Sequence, residues 1–446
     1  MIGIVVVAAL VGVTIASNRV LSQREAAREL ELAAHPWILP TLEGPVHQVW
    51  QVEGPGLVAE GEGVVVIGDL LGSGELRALD TATGDELWSR VRPGEVCRGV
   101  QEGPDDVGPP SEAANLDPDY LLCMPVGNYL RDHRPPAPGL VTTIAVLHPT
   151  RGEELSTVEV AGTPLTWDVV GSGDVLVTFV THEAAVGIVR WDVGARLLVW
   201  SFESEPGVMP QGLYGEWQHL VHDGVVRVTT EDVAFAVSVE TGEAVSPDDA
   251  APVTDPERVR ASLPDGGAVE WVDDRGVDGV GRVLAPDGST RFEFDGIPWL
   301  AWRSDGSVPE ILVVQRPDSG GLAGLDAATG EQRWTLATPQ RPTPVLQIEG
   351  TVIATAGERA TAIDLRRGTS LWEAAIATTV GPAAVTDGEV VILPVRNGWE
   401  SSLVALQVRS GLELWRSPVR PGVQELHATP DGTVLLLSPS GITAYR

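Results

Sequence analysis

The chain has 446 residues, of which 62 are acidic and 30 basic, for a net charge of −32. A field of that sign repels nucleic acid and anionic lipid, which removes both as partners. Every basic residue is arginine, which excludes Walker-type phosphate loops, Schiff-base lysines and Ser–Lys nucleophile pairs.

Ile2–Ala16 is an apolar run about one helix long, short of the roughly 20 residues that a full span needs. It lacks the basic lead and the clear cleavage site of a signal peptide. Residues 1–17 are therefore expected to be an uncleaved transmembrane anchor. Arg19, Arg24 and Arg28 follow the run, and by charge alone they favour a cytoplasmic C-terminal side. Residues 18–45 have helix-forming composition up to Ala34 and then Pro36, so a helical stalk and linker are expected.

From residue 46 to 446 the pattern becomes short strands rich in Val, Ile, Leu and Thr. Turns such as Pro264-Asp265-Gly266, Pro286-Asp287-Gly288 and Pro430-Asp431-Gly432 separate them. One unit recurs: LRALDTATGDELW at Leu76–Trp88, LAGLDAATGEQRW at Leu322–Trp334, ATAIDLRRGTSLW at Ala360–Trp372 and LVALQVRSGLELW at Leu403–Trp415. Each reads as a strand, a turn closing on Gly, and a strand carrying Trp. Plain alternation along the second strand places Trp88 on the same face as Glu86.

The turn glycine returns at 84, 152, 194, 242, 288, 330, 368 and 411, at spacings of 38 to 48 residues except for one of 68. Four strands per unit at that period predict an all-β fold, a β-propeller of four-stranded antiparallel blades. Eight blades are expected, with nine as the alternative count. The strand Val46–Val52 is expected to join the last three strands and close the ring. The long spacing holds an insertion between Cys97 and Leu140, with loops at Gln101–Pro118 and Gly127–Gly139. The insertion is the expected partner-binding region: its first loop, acidic and without arginine, suits a basic partner, and its second, with Arg131, His133 and Arg134, has the opposite bias.

The repeated motif resembles the pyrroloquinoline-quinone-like (PQQ-like) β-propeller repeat over residues 46–446. The resemblance implies that turn and Trp residues dock neighbouring blades: Asp80, Gly84 and Trp88; Asp326, Gly330 and Trp334; Asp364, Gly368 and Trp372; Gly411 and Trp415; and, more loosely, Trp50 and Trp200. Arg367 replaces the motif's Thr, and Gln407 and Ser410 replace its Asp and Thr. Quinone-dependent dehydrogenases of this kind hold their cofactor over a disulfide between adjacent cysteines, whereas Cys97 and Cys123 here lie 26 positions apart. The resemblance is therefore to the non-catalytic, membrane-anchored type.

That type implies an extracytoplasmic, single-pass, monomeric propeller that binds a protein or cell-envelope partner, with no cofactor and no metal. In such a setting Cys97 and Cys123, an even pair without a metal motif, are expected to form a disulfide. A quinone-dependent oxidoreductase and a carbohydrate-binding or carbohydrate-active propeller are the alternatives. Trp167, Trp191, Trp217, Trp271, Trp299, Trp302 and Trp399 lie off the repeat position and are the candidates for ligand stacking. His219 and His222 have His-x-x-His spacing, but in a strand they face opposite sides. No Gly-x-Ser-x-Gly, Cys-x-x-Cys or His-Glu-x-x-His motif occurs.

Overall fold

The computed structural model describes Arg28, Leu32, His35 and most of residues 37–446. Residues 1–27, 101–119, 126–134, 171–173, 209–216, 231–233, 246–257, 273–278 and 378–383, with a few shorter stretches, lie outside the description. The expected anchor at 1–17 falls there. Among the described residues no helix is long and apolar enough to cross a membrane. Arg28 and Leu32 are helical.

Among the described residues the strands form nine four-stranded antiparallel sheets, the alternative count, in place of the expected eight. The sheets, here blades 1 to 9 with strands A to D from the axis outward, span residues 56–91, 95–160, 163–203, 217–245, 258–295, 297–336, 343–375, 385–419 and 425–445. The middle units lose the turn motif yet keep the strand spacing, and spacing is what makes a sheet. Blade 9 takes its outermost strand from Gln48–Glu53, which pairs antiparallel with the last strand, Gly441–Tyr445. The ring is thus closed by the two ends of the propeller segment, as expected from the sequence.

The apolar core is divided among the seams. Eight clusters of buried residues are each shared by two consecutive blades, including the seam between blades 9 and 1. A blade has two apolar faces and no core of its own, so burial is completed only by its neighbours.

At five seams the contact has one form. The indoles of Trp50, Trp88, Trp200, Trp334 and Trp372 lie over Gly84, Gly152, Gly242, Gly368 and Gly411 of the next blade. A Cβ on any of these glycines would stand less than 3 Å from the ring. Each indole N–H donates to the carbonyl three residues before its glycine: Thr81 (2.8 Å), Pro149 (2.9 Å), Val239 (3.0 Å), Leu365 (2.7 Å) and Val408 (2.7 Å). The glycines sit at φ between +62° and +75°, where a side chain is disfavoured.

The motif's Asp braces the same turn. Asp80 Oδ1 accepts from the amides of Ala82 and Thr83, and Asp326 and Asp364 repeat this with the amides two and three residues on. In blade 8 Gln407 stands in this place, and its Oε1 accepts from Ser410 Oγ instead. In blade 3 the left-handed residue of the turn is Arg196 (φ 58°), not Gly194, which sets Trp200 four residues beyond it.

Alternation in the outer strand is broken. Ala78 pairs with Trp88, but the adjacent Leu79 pairs with Glu86, so Leu87 is an inserted bulge residue. The same shift occurs before Trp334, Trp372 and Trp415. Trp88 therefore faces away from Glu86, correcting the simple alternation. The bulge also accounts for the exposure of Leu87, Leu371 and Leu414.

Trp415 has no turn glycine to meet, because the outermost strand of blade 9 is Gln48–Glu53 and no C–D turn joins it to Gly441–Tyr445. It packs instead against the cluster of buried residues shared by blades 8 and 9, which includes Val46 and Tyr445.

Trp334→Ala is expected to cost about 3–5 kcal/mol of stability, since Trp334 is only 9% exposed. Gly368→Ala, on the other side of that contact, is expected to cost about 1–3 kcal/mol by overpacking. Chemical denaturation of both variants checks the pair; an unchanged midpoint in either contradicts the contact.

Candidate functional site

The sequence enlarges blade 2, and the structure braces it. Cys97 on strand A (Glu95–Val100) lies directly opposite Cys123 on strand B (Tyr120–Pro125), and the two form a disulfide. The bridge sits at the root of the 101–119 connection, and both cysteines are buried. Glu95, Cys97 and Cys123 are the one trio of potential metal ligands that converges among the described residues. With both sulfurs in the disulfide, no thiolate is left for a metal. The two expected binding loops fall mostly outside the described residues.

The inner strands of blades 2, 3 and 4 bring polar groups toward the axis. Arg98 lies over the Trp167 ring, 5.4 Å from its centroid, a cation–π contact. Next to Trp167, Asp168 Oδ2 is 3.5 Å from His219 Nδ1. His219 Nε2 is 3.1 Å from Thr178 Oγ1. Burial pushes Asp168 up to about 6, partly offset by the Arg98 charge. Burial also pushes His219 down to about 4. Both groups are shifted toward their neutral forms because a charge there loses solvation.

A second cluster joins blades 9 and 1. His427 on Glu425–Ala428 lies between two carboxylates, with Nδ1 3.1 Å from Glu60 Oε2 and Nε2 3.0 Å from Glu425 Oε2. Burial disfavours the charged imidazole, yet Glu60 and Glu425 together outweigh it, and His427 is raised above its ordinary value. A hydrogen bond from His427 in turn lowers Glu425. Glu60 is 1% exposed and His427 2%, so this is a closed, mutually compensated cluster and not an open ligand site.

Arg303 completes it from across the ring. Strand A of blade 6 is only Ile297–Pro298, after which the chain leaves that sheet. It runs beside the inner strand of blade 7, where Arg303 O accepts from Gln347 N at 2.8 Å and Ser304 bridges Gln347 in parallel. From there the guanidinium donates to Leu426 O in blade 9 at 3.3 Å. Trp299 anchors the start of the crossing, buried and donating to Pro342 O at 2.7 Å.

The residues preceding the propeller are packed against it. Arg28 pairs with Glu349 and Glu389, and Leu32 is buried beside Gly388. Ile38 bridges Thr386, and Leu42 N donates to Asp387 Oδ2 at 2.8 Å. All these partners lie at or beside the turns between strands A and B of blades 7 and 8.

The repeat positions named from the sequence thus lie at the seams and not in one site. Among the off-register tryptophans, Trp299 is structural, Trp167 lines the Arg98–His219 cluster, and Trp302 is 44% exposed. Sequence reasoning missed Glu60, Arg98, Asp168, Arg303 and His427. For all but Arg303, which lies outside the strands, the one signal was a charged or polar residue inside an inner strand, as in LVAEG and LTWDVV.

Part of the chain is similar to a known repeat family. Residues 257–431 match the family model described as outer membrane protein assembly factor BamB, of the PQQ repeat class. BamB from Moraxella catarrhalis is 15% identical with a TM-score of 0.40, covering 90% of this chain and 99% of that one. Quinohemoprotein alcohol dehydrogenase from Comamonas testosteroni is 12% identical with a TM-score of 0.41, covering 94% and 79%. A search of curated proteins gives no match. Residues 257–431 of the chain are thus similar to a PQQ-like repeat model.

Two outcomes are expected. Thiol labelling of the unreduced, denatured protein should find no free thiol, and reduction should cost about 2–4 kcal/mol. The Asp168–His219 pair should be nearly silent in the pH dependence of stability. Between about pH 6.5 and 4 the unfolded chain protonates His219 and the folded one does not, so stability falls with pH. Over nearly the same range folded Asp168 takes up a proton before its unfolded counterpart, so stability rises. Asp168→Asn removes the second effect and should expose an acid loss of about 3 kcal/mol, read by denaturation at pH 7 and pH 4. A variant that tracks the wild type across that range contradicts the pairing.

Proposed function

We propose that the chain is a non-catalytic, envelope-associated propeller that binds a protein partner at the face carrying the A–B and C–D turns. The observation that supports this is the buried disulfide at the root of the longest A–B connection, in blade 2. Disulfides persist outside the reducing cytosol, and an insertion held at its base by a rigid blade is where a scaffold presents a binding loop. Arg28 and Leu32 pack at turns of this same face, and the apolar run 2–16 is read as a single-pass anchor. The Arg303 crossing and the closed His427 cluster favour binding over chemistry at the axis, since neither leaves a nucleophile beside an activating base.

The test is crosslinking and pull-down from native membranes with the wild type and with a variant lacking Gly103–Pro110. The deletion removes no described strand, so the thermal midpoint should be unchanged while partner recovery falls. Equal recovery of the same partners contradicts the assignment. Dye-linked alcohol oxidation after quinone loading would establish the oxidoreductase alternative in its place.

A further inference from the structure

The last three strands of the chain, Glu425–Ala428, Val434–Ser438 and Gly441–Tyr445, are held to the first part of the propeller both at the rim and toward the axis. At the rim, Gly441–Tyr445 pairs with Gln48–Glu53, and Trp50 of that strand lies over Gly84 of blade 1. Toward the axis, His427 meets Glu60 of blade 1. The rim contact is the ladder and indole seat seen at other seams. The axial contact is ionic.

Both ring nitrogens of His427 face carboxylate oxygens, Nδ1 that of Glu60 at 3.1 Å and Nε2 that of Glu425 at 3.0 Å. A carboxylate only accepts, and a neutral imidazole carries one N–H. A neutral ring would turn a lone pair toward one of the two oxygens, so the geometry is that of an imidazolium. The charged groups that face it are Glu60 from blade 1, Glu425 from its own strand and Arg303 from the blade 6 crossing. The strands beside it, Val434–Ser438 and Val385–Thr386, carry no charged residue. With His427 charged, two cations balance two carboxylates. Without that proton an excess negative charge remains where Glu60 is 1% exposed and accepts no aligned hydrogen bond that could replace the pair. The Glu425 side chain, 30% exposed, gives the proton a way to solvent.

We propose that His427 is a proton-operated latch on ring closure: its imidazolium holds the last three strands to blade 1, and loss of the proton to solvent loosens them. The raised value of His427 fixes the direction. Stabilisation by the latch is full below the ordinary histidine value of 6.5 and is lost as pH rises through the higher folded value. The expected event is release of the last three strands from Gln48–Glu53 and blade 1, with the other blades intact. Arg303 donates to Leu426 O, next to His427 in the strand, so the same release frees the crossing from blade 6. The latch is independent of any partner.

The experiment is hydrogen–deuterium exchange of the full chain from pH 6 to pH 9, with each rate referred to the intrinsic rate at that pH. The amides of Gln48–Glu53 and Gly441–Tyr445 report the latch. Those of Thr351–Ala356 and Arg359–Asp364 in blade 7, which contain no histidine, are the reference. Protection of the closing ladder should fall about tenfold for each pH unit by which His427 is raised, while the reference stays level. His427→Gln should show low protection already at pH 6 and no further fall. Glu425→Gln, at the solvent side of the cluster, keeps Glu60 and should move the midpoint of the fall down by about one pH unit. A ladder that follows the reference from pH 6 to pH 9 overturns the latch, and so does a Glu425→Gln midpoint equal to that of the wild type. If His427→Gln does not fold, the Glu425→Gln midpoint decides, since a packing role for His427 would leave it in place.

Discussion

An indole laid over a glycine and bonded to the carbonyl three residues earlier is the contact on which the ring depends. It joins two requirements that no single blade can meet. The glycine must be bare, because the ring occupies the space of its Cβ, and the turn must be held open so that the carbonyl points outward. The Asp of the motif supplies that hold by accepting the turn amides. Burial then comes with a direction, since a Trp that slid by one residue would lose both its seat and its hydrogen bond. Apolar contact alone is non-directional; the indole N–H makes the contact a register.

The bulge in each outer strand belongs to the same device. It turns the Trp from the face that strict alternation assigns it toward the next blade, and it leaves Leu87, Leu371 and Leu414 facing solvent. Where the device is incomplete, the seam changes character. Phe292 of blade 5 keeps the seat, over Gly330 of blade 6, but not the bond, since its ring has no N–H. Trp415 packs against the cluster shared by blades 8 and 9 instead of a turn.

Toward the axis a different constraint governs. The inner strands carry charged groups that are removed from water, and such groups persist only with compensating neighbours. His427 sits between Glu60 and Glu425 with Arg303 reaching in from blade 6, so two cationic side chains face two carboxylates. Asp168 and His219 reach the same end by shifting toward neutrality, and the Arg98–Trp167 pair caps them. The chain crossing at 299–310 ties blades 6, 7 and 9 to one another at the axis, where neighbouring seams alone would not connect them.

The sequence by itself determined the blade: its four strands, its turn, its docking residue and the closure of the ring by its first and last strands. These were legible because each is local, written in a motif of 13 residues such as Leu76–Trp88 and in the period at which it returns. Cys97 and Cys123 were legible as a pair, since they were the only two cysteines to be joined. Tertiary structure decided the rest. The ninth blade was hidden because units such as 217–245 keep their strand spacing and turn glycine after losing the Trp. The facing of Trp88 depended on a bulge that appears only when two strands are paired. The meeting of Arg303 with Leu426, and of Asp168 with His219, joins residues 123 and 51 positions apart. Arg303 lies outside the blade strands, and Asp168 and His219 are single polar residues in the inner strands of consecutive blades, so only tertiary packing makes these groups neighbours.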